Sequence, residues 1–117
     1  MTSMDSDGAV SLNGKRFAMV SSTASRVDPD HPTEFLYHQE GGLTWGEYTG
    51  DTVTQGRFVG AFDGEVLAIS FAHELVADRS VVQGSAESRV EVREGTLHLV
   101  ETFFVDGVEH ESVCIEI

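Results

Sequence analysis

From Gly14 onward the chain alternates apolar and polar residues in short runs, each ended by a turn signal. The runs are 15–22, 33–40, 43–49, 52–62, 65–75, 80–93, 96–105 and 108–117. Period-two alternation at roughly 8–12 residue spacing predicts consecutive β-strands in a sandwich or barrel. Stretches with the 3.6-residue period of a helix are nearly absent, and glycines are scattered through the middle of the chain. A short helix over 72–81 is the one exception the pattern allows.

The turn signals decide between sandwich and barrel. Asp63-Gly64, Glu94-Gly95 and Asp106-Gly107 pair an acid with a glycine, and such pairs tolerate the positive φ of a two-residue hairpin turn. Gly41-Gly42 is a fourth signal, and Gly50-Asp51 a fifth with a loop of two or three residues. Hairpins that share strands make a meander, and a long meander avoids exposed edges by pairing its first strand with its last. The expected fold is all-β: an eight-stranded antiparallel up-and-down meander closed into a barrel. Residues 1–12 carry no period and read as a loose tail, leaving 13–117 as the single domain.

One connection stands apart. Residues 23–32, with Asp28, Pro29, Asp30, His31 and Pro32, form a long irregular loop among tight ones. It reads either as a lid over the barrel mouth or as a tolerated surface insertion. Strand order places it at one end with 49–52, 75–80 and 106–107, and that end is the predicted opening.

Two-residue turns fix register and therefore faces. Around Asp63-Gly64 they set Phe62 opposite Glu65, Gly60 opposite Leu67, Phe58 opposite Ile69 and Gly56 opposite Phe71, alternating large with small as a narrow barrel needs. Around the last two turns the inward face collects Val92, Val90, Ala86, Leu97, Leu99, Phe103, Val105, Val108 and Cys114, with Glu101 on the same face opposite Ser88 and Ser112. The 43–49 strand has two registers. One puts Leu36, Leu43 and Trp45 inside; the other, slightly favoured, puts Phe35, Tyr37 and Tyr48 inside, where hydroxyls meet buried polar partners.

Charge then narrows the partners. Twenty acidic residues face seven Lys and Arg, for a net charge of −13. Nucleic acids and anionic membranes are bound through clustered cations, which the chain lacks. Solubility is the plainer reading of the acidity, and a salt-rich cell interior the other. One cysteine, Cys114, rules out an internal disulfide, and no apolar run is long enough for a membrane helix. The N-terminus has no signal-peptide pattern, so the expected location is the cytoplasm.

At Tyr37-His38-Gln39, Tyr48-Thr49-Gly50, Gly56, Gly60, Asp63-Gly64, Gly84 and Glu101 the chain resembles a small bacterial family of lipocalin-like barrels whose members often carry the label N-acetylglutamate synthase. The resemblance covers nearly everything after Leu12 and implies a lipocalin- or avidin-like barrel. Its motifs are mostly turn and packing residues, and the chain departs from the family's aromatic-rich final hairpin at Thr102-Phe103-Phe104-Val105. Acetyl transfer from coenzyme A calls for a phosphate-binding loop or an α/β acyltransferase core, and the chain shows neither.

An inward carboxylate must be paired, hydrogen-bonded or protonated. Glu101 is thus either a polar anchor for a ligand or part of an internal hydrogen-bond network. The candidate ligand-binding set is Tyr37, Gln39, Tyr48, His73 and Glu101, with His110 and Glu116 as further inward candidates. His31, His38, His73, His98 and His110 lie on separate segments without paired-ligand spacing, so neither metal nor cofactor is expected. No motif around Ser112 or Cys114 marks a nucleophile. The leading expectation is a module that binds a small, mostly apolar molecule inside the barrel. The alternatives are an enzyme using Glu101 or His73 as acid or base on a small carbonyl or ester, and an interaction subunit. Val100, Phe104, Val113 and Ile115 group on the outer face of the last hairpin, which reads as a homodimer surface unless the N-terminal segment covers it.

Overall fold

The computed structural model describes residues 10–24 and 26–117. Eight strands follow one another: β1 (Arg16–Ser22), β2 (Glu34–Glu40), β3 (Leu43–Gly50), β4 (Val53–Phe62), β5 (Val66–Leu75), β6 (Val81–Arg93), β7 (Thr96–Val105) and β8 (Val108–Glu116). Each pairs antiparallel with its chain neighbours, and β1 also pairs with β8, so the sheet is a closed all-β barrel. Closure satisfies every edge strand, as the meander of hairpins requires. No helix forms over 72–81. β5 runs on to Leu75, a single turn with Arg79 at φ 60° reverses the chain, and β6 starts at Val81.

The acid-glycine turns set most of the register. Glu94-Gly95 and Asp106-Gly107 are two-residue turns with positive φ at all four residues. They pair Arg93 with Thr96 and Val105 with Val108, which places Glu101 opposite both Ser88 and Ser112. Asp63-Gly64 departs from the same expectation. The Asp63 carboxylate accepts from the amides of Glu65 and Val66 at 2.9 and 2.8 Å, which lengthens the loop. Phe62 then pairs with Leu67, Gly60 with Ile69, Phe58 with Phe71 and Gly56 with His73. The slip is two residues, so every side chain keeps its face and only the partners change.

Between β3 and β4 a bulge separates the Tyr48–Gly56 pair from the Gly50–Val53 pair. The extra residue turns Tyr37 and Tyr48 inward, with 3% and 7% exposure, and Leu43 and Trp45 outward. Three glycines make room for inward rings. An added Cβ would meet Phe58 at Gly46, Tyr48 at Gly56 and Phe71 at Gly84.

The two ends of the barrel differ. At the end of the 41–42, 63–66 and 94–95 turns, Phe62, Leu67, Leu97 and Leu12 fill the interior. Leu12 belongs to the stretch that its lack of period assigned to the tail, yet it is fully buried and Val10 packs against the core. Its amide donates to Gln39 Oε1 at 2.8 Å, while the Gly14 amide donates to the Tyr37 carbonyl at 2.8 Å. A single plugging residue has no period to detect. Residues 1–9 of the expected tail and Ser25 of the 23–32 loop lie outside the described residues.

At the opposite end the wall is thinnest between β1 and β2. Three residue pairs join them, up to Ala18–Glu34, with one further backbone bond from the Met19 amide to the Thr33 carbonyl at 2.9 Å, and β1 shifts register against β8 beyond Met19. The chain leaves that gap through the 23–32 loop, in which the Asp28 amide donates to Asp51 Oδ2 of the β3–β4 turn at 2.9 Å.

Candidate functional site

The open end holds a cavity of about 160 Å³. Met19 and Ser22 of β1 and Thr33 and Phe35 beside the start of β2 border it where the β1–β2 pairing stops, and Asp51, Thr52 and Val53 border it from the β3–β4 turn. Deeper in, Tyr37, Tyr48, Phe58, Ile69, Phe71, His73, Glu101, Phe103 and Ser112 form the walls and floor. Among the described residues, none of 23–32 lines the cavity, so the loop flanks the mouth through Ser22 and Thr33 rather than lying across it. The end predicted as the opening is the end where the cavity lies, although 75–80 and 106–107 contribute no lining.

Aromatic rings make most of the wall. Phe35 stacks on Tyr48 at 4.9 Å between centroids, Tyr37 tilts onto Phe58 at 4.7 Å, and Phe71 stacks on His73 at 5.9 Å. The Tyr48 hydroxyl shares a 2.8 Å hydrogen bond with His73 Nδ1. Burial lowers the pKa of His73 below the usual imidazole range, which leaves its ring neutral at neutral pH. Burial, helped by the Glu101 charge, pushes the Tyr48 hydroxyl well above the usual phenol range. Burial does the same to Tyr37, with Cys114, Glu101 and Tyr48 adding to it. Both phenols therefore remain protonated donors.

Glu101 is the carboxylate deep in the wall, with Asp51 at the mouth. Its Oε2 accepts from Ser88 at 3.4 Å and its Oε1 from Ser112 at 3.5 Å, and both serines are buried. These bonds are long against the roughly 2.5–2.7 Å of a good hydroxyl–carboxylate bond. No Lys or Arg lines the cavity. Burial therefore raises the Glu101 pKa, and the two serine bonds only partly offset it.

The sign of the resulting pH dependence is fixed. Between the ordinary glutamate range and its raised native value, the folded chain binds more protons than the unfolded one, so stability falls as pH rises through that window. Glu101→Gln removes this loss. The variant is expected to be more stable than the native chain at neutral pH by about 1–2 kcal/mol, the scale of a buried charged group with weak partners. The gap should narrow toward pH 4. Urea melts at the two pH values check this, and a neutral-pH loss of stability in the variant would contradict it.

Of the five residues singled out in the sequence, Tyr37, Tyr48, His73 and Glu101 come together and Gln39 does not. Gln39 shares their inward parity but sits at the closed end, holding Leu12 and donating to the Gly41 carbonyl at 2.9 Å. Glu116 also leaves the interior set, pairing with Lys15 at 3.3 Å. His110 bonds Thr23 Oγ1 at 3.1 Å and stacks on Phe103, outside the lining. Met19, Thr33 and Asp51–Val53 were not legible as site residues, because the long loop before β2 and the bulge after Tyr48 carry no register signal.

Among the described residues no group of three His, Cys, Asp or Glu is placed to hold a metal ion, and no helix is long and apolar enough to cross a membrane. On the outer face, Val100 is only 3% exposed, so the apolar patch expected there is reduced to an exposed Phe104 with Val113 and Ile115 half-buried.

Eight antiparallel strands closed in chain order around an end-opening cavity define an up-and-down barrel of the calycin type, a fold compatible with holding one small ligand. The model of the family described as "Avidin-like protein" matches residues 10–117, and the chain belongs to that family. The match bears on the barrel and not on acetyl transfer. No curated protein and no solved structure matches the chain.

Proposed function

We propose that this chain binds a small, mostly apolar molecule in the open end of its barrel. The observation that carries the reading is the aromatic cavity of about 160 Å³ with the weakly bonded carboxylate of Glu101 in its wall. A cavity of about 150 Å³ lined by apolar groups admits benzene, so this one has room for one ring with a short arm. The rings supply contact area, and Tyr37, Tyr48 and Glu101 supply the few polar groups that orient a ligand. An enzyme using Glu101 or His73 as acid or base on a small carbonyl or ester is the second reading, because both groups line the cavity and burial raises the pKa of the one and lowers that of the other.

For a partner we propose a second copy, docking through Phe104, Val113 and Ile115 on β7 and β8. Native mass spectrometry tests both ideas, because it reads retained ligand mass and subunit number together. Protein purified from its own source is expected to carry a small-molecule mass, and its Met19→Trp variant, which fills the mouth, to lack it.

A further inference from the structure

The cavity also specifies the charge of what it takes. We propose that the ligand is a small organic cation, an ammonium on a single ring or short apolar arm, with Glu101 as its counter-ion. This deepens the binding reading above and rests on it.

Three independent features converge. The first is the unmet demand of Glu101, whose protein donors are two serine hydroxyls at 3.4 and 3.5 Å; an ammonium can approach a carboxylate at about 2.7–2.9 Å and carries several donors. The second is the wall itself. Phe35, Tyr37, Tyr48, Phe58, Phe71 and Phe103 put six aromatic rings around the cavity, and the face of an aromatic ring attracts a desolvated cation. The third is the field. No Lys or Arg lines the cavity, Asp51 stands at its mouth, and the chain carries a net charge of −13, so cations are drawn in and anions repelled. A neutral alcohol brings the carboxylate one uncharged donor without the opposite charge that burial leaves it lacking, and an anion would place like charge beside it.

Calorimetric titration of the full chain at pH 7 with three probes of one shape separates the cases: benzylamine as its ammonium, neutral benzyl alcohol, and benzoate. The ammonium is expected to bind at least about tenfold tighter than the alcohol, the scale of one desolvated charge contact, with benzoate weakest. In Glu101→Gln, ammonium affinity should fall by about tenfold or more while alcohol affinity stays within about threefold. A thermal melt of the same sample verifies that the variant is folded. Equal affinity of alcohol and ammonium, tightest binding of benzoate, or an ammonium affinity that survives Glu101→Gln would overturn the charge inference and leave the binding cavity standing. No binding of any probe to the native chain would overturn both.

Discussion

Gly60→Ala is expected to destabilise the barrel by about 3 kcal/mol or more, the upper range for overpacking a tight site. Gly60 lies in β4 opposite Ile69, between Phe58 and Phe62. An added Cβ would collide with the Ala68 carbonyl oxygen, and it would lie 2.8 Å from both the Ala68 carbonyl carbon and the Ile69 Cα. All three atoms are backbone, so no rotamer change relieves the contact and β4 must move away from β5. Gly84→Ala is the control. There the nearest atom is the tip of the Phe71 ring at 2.9 Å, which can swing toward the cavity. Its expected cost is about 1 kcal/mol. Chemical unfolding of the two variants checks the contrast, and a Gly60 variant as stable as the Gly84 one would show that the β4–β5 spacing is not set by backbone contact.

Leu12→Ala is expected to cost about 2–5 kcal/mol, because it deletes a fully buried side chain at the closed end and leaves a cavity there. Against a total stability of roughly 5–15 kcal/mol, that is a drop of about ten degrees or more in the melting temperature. The loss spreads beyond one side chain. The Leu12 amide is held by Gln39, whose own side chain reaches the Gly41 turn, so the plug ties the N-terminal segment to the β2–β3 hairpin. Exposed Asn13 is the comparison: Asn13→Ala removes one bond, from the Gln39 amide, and should cost no more than about 1 kcal/mol. If Leu12→Ala melts with the native chain, the segment before β1 does not belong to the core.

Those two residues mark where local sequence was and was not enough. Alternation and acid-glycine turns specified eight strands in order, since each turn fixes the start of the next strand. They also specified the Ser88–Glu101–Ser112 cluster, because both flanking turns hold two residues and leave no room for slip. At Asp63 a side chain captured two amides and changed the partners, but an even slip preserved the faces. Face parity says nothing of depth, which is why Gln39 shares the parity of Tyr37 yet lies at the other end of the barrel. Leu12 and Met19 stayed hidden for a related reason. One precedes the first strand, and the other lies on a strand joined to the next by a long loop, so no turn ties either to a neighbour. Glycine spacing hinted at close packing, but only the folded barrel shows that Gly46, Gly56 and Gly84 lie beneath rings that wall the cavity.

Retention of a ligand by the native protein tests the central claim most directly. Native mass spectrometry of the chain purified from its own source should show a reproducible added mass small enough for about 160 Å³, absent from Met19→Trp prepared in the same way. A bare protein mass at every charge state, or an adduct that Met19→Trp keeps, would contradict a ligand held in the mouth of the barrel.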